Sequence, residues 1–174
     1  APASSYEFFF YSIPGGYVDH VLRVYQFAIE QYDLWKKMGM KIDNFTLEEL
    51  QFAAIHHDLG KLGLPDGREY YQWQDEKWWR DNRGQMYKSN PNVPWMKTND
   101  VTVYLLNYFH VPYSLNEMLG IKLTDGMFEE ENKKYLSGFD INTKLRTSLP
   151  YILHHADIMA YRFEFERWAV ESEK

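Results

Sequence analysis

The sequence contains no cysteine, which excludes disulfide bonds, thiolate metal ligands and cysteine nucleophiles. It has no apolar run near the roughly 20 residues that a membrane-spanning helix needs, and no signal-peptide pattern opens it. Basic residues are a minority, since 19 Lys and Arg face 25 Asp and Glu, and the formal net charge is −6. Extended duplex nucleic acid needs a broad basic face and is therefore a poor match. We expect a cytoplasmic protein that does not associate with a membrane.

The 174 residues suit one domain that spans the whole chain, and 45% of them are hydrophobic, which is enough for a substantial core. Because the chain begins at Ala1 and not at Met, we expect that a short N-terminal segment of the full-length protein precedes it. Aromatic residues make up 18% of the chain. They suit either a large core or a pocket in which a base stacks. The sequence does not indicate an oligomeric state.

Apolar residues recur at helical spacing along most of the chain, so we predict an all-α fold, a single helical bundle. The first helix is predicted from Gly16 to about Met38. Capping-box patterns at Thr46 and Ser114, each with Glu three residues later, begin two more helices, which reach about Leu59 and Leu123. Three further helices are predicted: Asn99 or Asp100 to about Phe109, a short one near 128–136, and Ser148 to Val170.

Glycine and proline interrupt the helical pattern between residues 62 and 98, where many tryptophans and tyrosines occur. We predict a long aromatic-rich loop that carries one short helix near 74–82. Since the loop follows Lys61 directly, one hypothesis makes it a cover over a functional site. Its tryptophans would then pack inward, and Arg80, Arg83 or Lys88 would meet a phosphate. The alternative is an ordered surface insertion whose cations are solvated.

The segment His56-His57-Asp58-Leu59-Gly60-Lys61 places polar groups at the end of a helix whose apolar face points into the core. Burying an unpaired carboxylate is costly, and a divalent cation that is bound by imidazole and carboxylate together would neutralise it. Alternatively, His57 and Asp58 bond only to each other at the helix end.

Two other helices direct residues of the same kind inward. His20 lies on the apolar face of the first helix, and Asp157 is in register with Leu153, Ala156 and Ala160 on the last one. Together with the His-Asp pair, they predict one divalent metal ion held by two imidazoles and two carboxylates, with positions left for water. The charges that follow on the last helix are interpreted as its solvated side: Arg162, Glu164, Glu166 and Arg167.

The order His20, then His57-Asp58, then Asp157 resembles the HD superfamily of metal-dependent phosphohydrolases, which is named for its His-Asp doublet. The segment from Ala53 to Lys61 is similar to the family's A-A-x-x-H-D-I-G-K, and Leu153-His154-His155-Ala156-Asp157-Ile158 resembles its closing L-H-x-A-D-x. The start of the chain, through Gly15-Gly16-Tyr17-Val18-Asp19-His20, resembles members related to the HD domain of a 3′–5′ exoribonuclease. The resemblance implies an HD domain with His20, His57, Asp58 and Asp157 as metal ligands.

The sequence departs from related ones at two positions where histidines often occur. Phe8 stands at one of them and Thr124 at the other. Family members that bind two metals use additional histidines of this kind, so one ion is expected, and oxygenase-type chemistry is disfavoured. The ion could be Mn, Fe, Co, Ni, Zn or Mg.

The resemblance implies hydrolysis of a phosphoester or phosphoanhydride by a metal-activated water. It also implies that Lys61 contacts phosphate, although Lys61 could instead be a solvated lysine beyond a helix end. Lys122, where the family often has arginine, is a weaker phosphate contact. The groups that could move a proton are Asp58, His56, His110 and His154.

Three hypotheses for the function remain open. The first is a nucleotide phosphohydrolase, which the acidic net charge favours. The second is an exonuclease-type domain that acts on single-stranded nucleic acid, which the kinship with exoribonuclease domains favours. The third is a non-catalytic nucleotide-binding module, suggested by Phe8 and Thr124, although the complete ligand set argues against it.

Overall fold

A computed structural model describes residues 1–9 and 11–172, and these residues form a mainly helical fold, as predicted. One antiparallel sheet accompanies the helices, formed by β1 (Tyr71–Trp73) and β2 (Tyr87–Ser89). Within these ranges no helix has the length and the apolar character that crossing a bilayer requires. The helices are α1 (Gly16–Lys37), α2 (Leu47–His56), α3 (Lys77–Arg83), α4 (Thr98–Tyr108), α5 (Leu115–Lys122), α6 (Lys133–Leu136) and α7 (Leu149–Ser172).

Both predicted capping boxes are present. The side chains of Thr46 and Ser114 accept from the backbone N–H three residues later, and Glu49 and Glu117 bond back to the cap residues. The Glu49 carboxylate also accepts from the Ser114 hydroxyl at 2.6 Å and from the Asn116 amide at 3.0 Å. The start of α2 is thereby joined to the start of α5.

Some predicted helix boundaries are wrong. Helix α2 ends at His56 and is followed by a 3-10 turn (Leu59–Leu62), so the chain changes direction at the His-Asp doublet. Helix α4 is capped by Lys97 and not by Asn99 or Asp100. The predicted helix near 128–136 consists of 3-10 turns at Gly126–Phe128 and Glu130–Asn132 followed by the single turn of α6.

The core lies between α1, α2, α5 and α7, and α1 packs most extensively against α7. Full burial of a Leu or Ile side chain stabilises the fold by about 1.5–3 kcal/mol. The core thus fixes the positions of the helices that carry the predicted ligands. Its largest fully buried apolar residues are Leu50, Leu106, Ile121, Leu149, Ile152 and Leu153.

The short helix predicted near 74–82 is present as α3, but the rest of the segment 63–98 is not all loop, because β1 and β2 pair as an antiparallel hairpin around α3. The prediction that its tryptophans pack inward is also wrong, since Trp73, Trp78 and Trp95 are 52%, 55% and 76% exposed. Two three-residue strands and a seven-residue helix offer too little apolar surface to bury such rings. Trp78 and Trp79 instead make an edge-to-face contact with each other.

Candidate metal centre and the adjoining cavity

The four predicted ligands converge at one place. His20 comes from α1, His57 and Asp58 from the turn after α2, and Asp157 from α7. One ligand atom from each of His20, His57 and Asp157 lies within 4.8 Å of the others. The Asp58 carboxylate is slightly apart, with Oδ2 3.7 Å from His20 Nε2 and 3.5 Å from His57 Nε2.

The His57 imidazole is oriented by the helix that precedes it, α2. Its Nδ1 lies 2.8 Å from the carbonyl oxygen of Ala54, so this nitrogen carries the proton and donates it to the carbonyl. Nε2 therefore holds a lone pair. That atom is buried and has no hydrogen-bond partner among the described residues. Such an orphaned acceptor is costly in a protein interior, and a bound cation would satisfy it.

A buried carboxylate orients the second imidazole. His20 Nδ1 lies 3.0 Å from Glu164 Oε2, and His20 Nε2 lies 3.2 Å from Asp157 Oδ1. Glu164 is fully buried, and its Oε1 accepts from Arg23 Nε at 3.0 Å. Burial lowers the pKa of His20, but the hydrogen bonds to Asp157 and Glu164 outweigh it and raise the pKa to about 9. A carboxylate behind a histidine is typical of metal sites, where it fixes the ring and raises its basicity.

The interpretation of Glu164 as a solvated charge is wrong. Its carboxylate joins α7 to α1 through His20 and Arg23. The signal was in the register of α7, because Glu164 continues the buried series Leu153, Ala156 and Ala160 by one further helical turn.

Asp58 is paired with Lys61, whose Nζ donates to Asp58 Oδ2 at 2.5 Å. Burial raises the pKa of Asp58, but nearby positive charge, foremost that of Lys61, outweighs burial and lowers the pKa to about 2. Lys61 is itself buried, so the alternative of a solvated lysine is wrong. The pKa of Asp157 is also lowered, since its hydrogen bond with His20 outweighs the effect of burial. Both carboxylates are therefore ionised at neutral pH.

This donor set fits a borderline divalent cation. It offers two imidazole nitrogens, both oriented through Nδ1, and two ionised carboxylates, all at or near the protein interior. A cation would take the place of the proton between His20 and Asp157 and would share Asp58 with Lys61.

A cavity of about 280 Å³ opens beside this centre, and His57, Asp58, Lys61 and Asp157 are among its lining residues. The cavity also brings together residues from the hairpin segment, the start of α4 and the segment after α5. Its wall includes Tyr70, Lys97, Asn99, Thr124, Asp125 and Glu129.

Sequence reasoning missed polar groups that line the cavity outside the candidate metal centre. The Asn99 amide donates to Asp125 Oδ2 at 3.0 Å and to the carbonyl of Lys122 at 3.0 Å. The pKa of Asp125, an exposed residue, is raised by partial desolvation in the cavity wall and then by the charges of Asp58 and Asp157. No periodicity in the sequence connects these residues, because their proximity depends on how α4 and α5 pack.

Lys97 supplies a second cation at the cavity. Its Nζ pairs with Glu129 at 2.7 Å and with Glu131 at 3.3 Å. These two pairs hold the start of α4 against the segment after α5. The sequence offered no signal for this, since Lys97 precedes a helix and is flanked by neutral residues.

The predicted proton-transfer histidines lie elsewhere. His154 Nδ1 donates to the carbonyl of Thr124 at 2.6 Å, and His56 stacks on Phe52 at 4.1 Å between ring centroids. His110 is exposed just beyond the end of α4, with a positive φ of 54°. None of the three lines the cavity.

The predicted phosphate-binding cations outside the doublet also lie away from the cavity wall. Arg80 donates to the carbonyl of Gln74 and lies over Trp73, while Arg83 lies over Trp78. Lys88 pairs with Asp75 at 2.5 Å. Lys122 is exposed, and only its backbone carbonyl contacts a cavity residue, because it accepts from the Asn99 amide.

Comparison of the chain with protein-family models, with curated proteins and with solved structures found no match.

Proposed function

We propose that the protein is a metal-dependent phosphohydrolase of the HD type that acts on a nucleotide or a related phosphoester. The observation that carries this proposal is the buried Nε2 of His57, which has no hydrogen-bond partner among the described residues and lies within 4.8 Å of ligand atoms of His20 and Asp157. A purely structural His-Asp pair would leave no such acceptor unsatisfied.

His20, His57, Asp58 and Asp157 hold one divalent cation in this proposal, and Glu164 and the Ala54 carbonyl keep the two imidazoles in the required tautomer. When bound, the cation polarises a phosphate oxygen and lowers the pKa of a coordinated water. Lys61 lies at the same wall and adds positive charge next to the phosphate.

Asp125 is the cavity residue best suited to transfer a proton to a leaving oxygen. Its pKa is raised, its Oδ2 accepts from Asn99, and it lines the same cavity as Asp58 and Asp157 of the candidate metal centre. A carboxyl group with a raised pKa holds a proton closer to neutral pH than an ordinary one does. In this role Asp125 replaces His110 and His154.

The charges in the cavity favour a small substrate over a polymer. Four carboxylates and two lysines line it: Asp58, Asp125, Glu129 and Asp157, with Lys61 and Lys97. A bound divalent cation and the two lysines would only offset these four carboxylates, so the cavity holds no surplus of positive charge for a run of phosphates. A nucleic-acid strand needs a basic path for several phosphates, and the net charge of −6 does not favour one.

The test is elemental analysis of protein purified without chelators, followed by a phosphate-release screen over nucleotides with Mn²⁺, Co²⁺, Ni²⁺, Mg²⁺ and Zn²⁺. The variant His57→Ala should lose the bound metal and at least a hundredfold of the phosphate release, with its helical content retained. The matched control is His56→Ala, because His56 is the neighbouring residue and lies outside the cavity wall. Retention of metal and turnover by His57→Ala, or an equal loss in His56→Ala, would overturn the proposal.

A further inference from the structure

A second cavity, of about 340 Å³, adjoins the first one on the side of the hairpin segment. Tyr70 lines both cavities. The rest of the second wall comes from Ser89 at the end of β2 and from the segment after it, and it is mainly apolar, with Pro91, Val93, Pro94 and Trp95. The Trp95 side chain is 76% exposed, so a large aromatic surface borders this cavity without a protein cover.

We propose that this second cavity binds the nucleobase of a nucleotide whose phosphate lies in the first. This inference rests on the proposed function for the position of the phosphate. It adds the part of the ligand that the metal centre cannot recognise, and it assigns Tyr70 and Trp95 as the residues that contact the base.

The two cavities differ in charge in the way that the two ends of a nucleotide do. The first is lined by carboxylates and lysines, as a phosphate and its cation require. The second has no acidic, basic or histidine side chain among its lining residues. A flat, uncharged ring suits it, because every base has a π-face that can stack on an aromatic side chain.

Hydrogen bonds fix the shared wall before any ligand arrives. The Tyr70 hydroxyl donates to the carbonyl of Met96 at 2.9 Å, and the Tyr70 carbonyl accepts from Asn90 N at 3.0 Å. These bonds attach both ends of the segment 90–96 to Tyr70. Such a preformed wall loses little entropy when a ligand binds.

Asn90 strengthens this arrangement and uses its side chain to do so. Its amide donates to the carbonyl of Glu69 at 2.8 Å, and its Oδ1 accepts from Asn92 N at 2.9 Å. The polar side chain is therefore engaged in the turn itself. Recognition in this cavity depends on stacking and shape, and several bases should be accepted.

A binding measurement that needs no turnover tests the inference. The indole N–H signals of the six tryptophans are recorded by ¹⁵N-resolved NMR, and Trp95 is assigned through the variant Trp95→Phe. Adenosine should shift the Trp95 signal, whereas ribose 5-phosphate, which has the ester and no base, should not. An unmoved Trp95 signal at 10 mM adenosine, or an equal shift with ribose 5-phosphate, would overturn the subsite.

Variants then measure the contribution of the ring. Trp95→Ala should weaken adenosine 5′-monophosphate binding on the order of tenfold, the expected effect of losing one stacking partner, and Trp95→Phe should restore most of it. Affinity for ribose 5-phosphate should stay the same in all three proteins. The matched control Trp78→Ala removes an indole that is 55% exposed and borders neither cavity.

Failure of the metal centre and failure of the subsite give different results. If the protein releases no phosphate but adenosine shifts the Trp95 signal, the proposed function is wrong and the base subsite stands. If the protein hydrolyses nucleotides and ribose 5-phosphate with equal KM, and the substitution Trp95→Ala leaves both KM values unchanged, the proposed function stands and the base subsite is wrong.

Discussion

Glu164 acts on the candidate metal centre through another residue. It is fully buried on α7, accepts from His20 Nδ1 and is itself held by Arg23. A carboxylate in this position strengthens the imidazole as a ligand, because it stabilises the positive charge that develops on the ring when the metal draws electron density from it. The contribution of Glu164 should therefore appear in metal affinity and in thermal stability.

We expect Glu164→Gln to lower metal affinity by about 10–100-fold, the usual cost of losing such a supporting carboxylate. The neutral amide can still accept from His20, but it no longer balances the charge on the ring. Competition with a chromophoric chelator measures the affinity, and circular dichroism checks that the helices remain. Glu166→Gln is the matched control, since Glu166 is exposed on the same helix. Equal affinities in the two variants would contradict the role of Glu164.

The four converging residues could be identified from the sequence because a local sequence feature singles out each of them. His20 and Asp157 are polar residues on otherwise apolar helix faces, and the His-Asp doublet ends such a face. Glu164 is also a polar residue on an apolar helix face, but its neighbours Arg162 and Glu166 suggested a solvated face. No local sequence feature singles out Asp125 or Asn99, since only tertiary packing brings them to the cavity.

At the scale of secondary-structure elements, the 3-10 turn Leu59–Leu62 depends on close contact with α4. Gly60 N donates to the Thr102 hydroxyl at 2.8 Å. A methyl group on Gly60 would overlap the Thr98 carbonyl oxygen and lie 2.9 Å from Val101 Cβ. Glycine is required here because the two backbones approach closely, and the same turn holds Lys61 beside Asp58.

The variant Gly60→Ala should therefore lower the free energy of unfolding by about 1–3 kcal/mol, as overpacking of a tight contact does. It should also weaken metal binding, because the turn must move away from α4 and shift Asp58. Chemical denaturation and chelator competition measure the two effects. In the control Gly138→Ala, the added methyl meets nothing closer than 3.3 Å. An unchanged unfolding free energy in Gly60→Ala would show that the contact is not tight.

Helices could be predicted where local rules suffice. The capping boxes at Thr46 and Ser114 are specified by residues three positions apart, and both helices begin where they were expected. The hairpin of β1 and β2 could not be identified in this way. Its strands have only three residues each, and a 13-residue connection with α3 separates them, so no alternating pattern develops.

At the scale of the whole molecule, the candidate centre exists only in the folded chain. His20 and Glu164 are 144 residues apart in sequence and 3.0 Å apart in space, on the two helices that pack most extensively together. An ion that binds the folded chain and not the unfolded one stabilises the fold through mass action. Because His20 must lose a proton to bind the ion, the stabilisation of the fold by the metal depends on pH.

The sign of that link follows from the raised pKa of His20, which is about 9 in the folded chain against an ordinary value of 6.5. In the metal-free protein, the protonated ring adds stability that is complete below about pH 6.5 and is lost as the pH rises through about 9. In the metal-loaded protein, the ion takes the place of the Nε2 proton, so this loss does not occur. The stability difference between the two forms should grow by about 1.4 kcal/mol per pH unit between these values.

For a chain of this length, that difference corresponds to about 3–5 °C in Tm per pH unit. The measurement is the Tm of metal-loaded protein minus that of chelator-treated protein at pH 7.0, 7.75 and 8.5, with the metal found in the purified sample. His155→Gln should leave the slope unchanged, because His155 is exposed on α7 and lies outside the cavity wall. A difference that stays flat or decreases over this range would mean that the ion does not displace a proton from His20, and that another residue replaces it as a ligand.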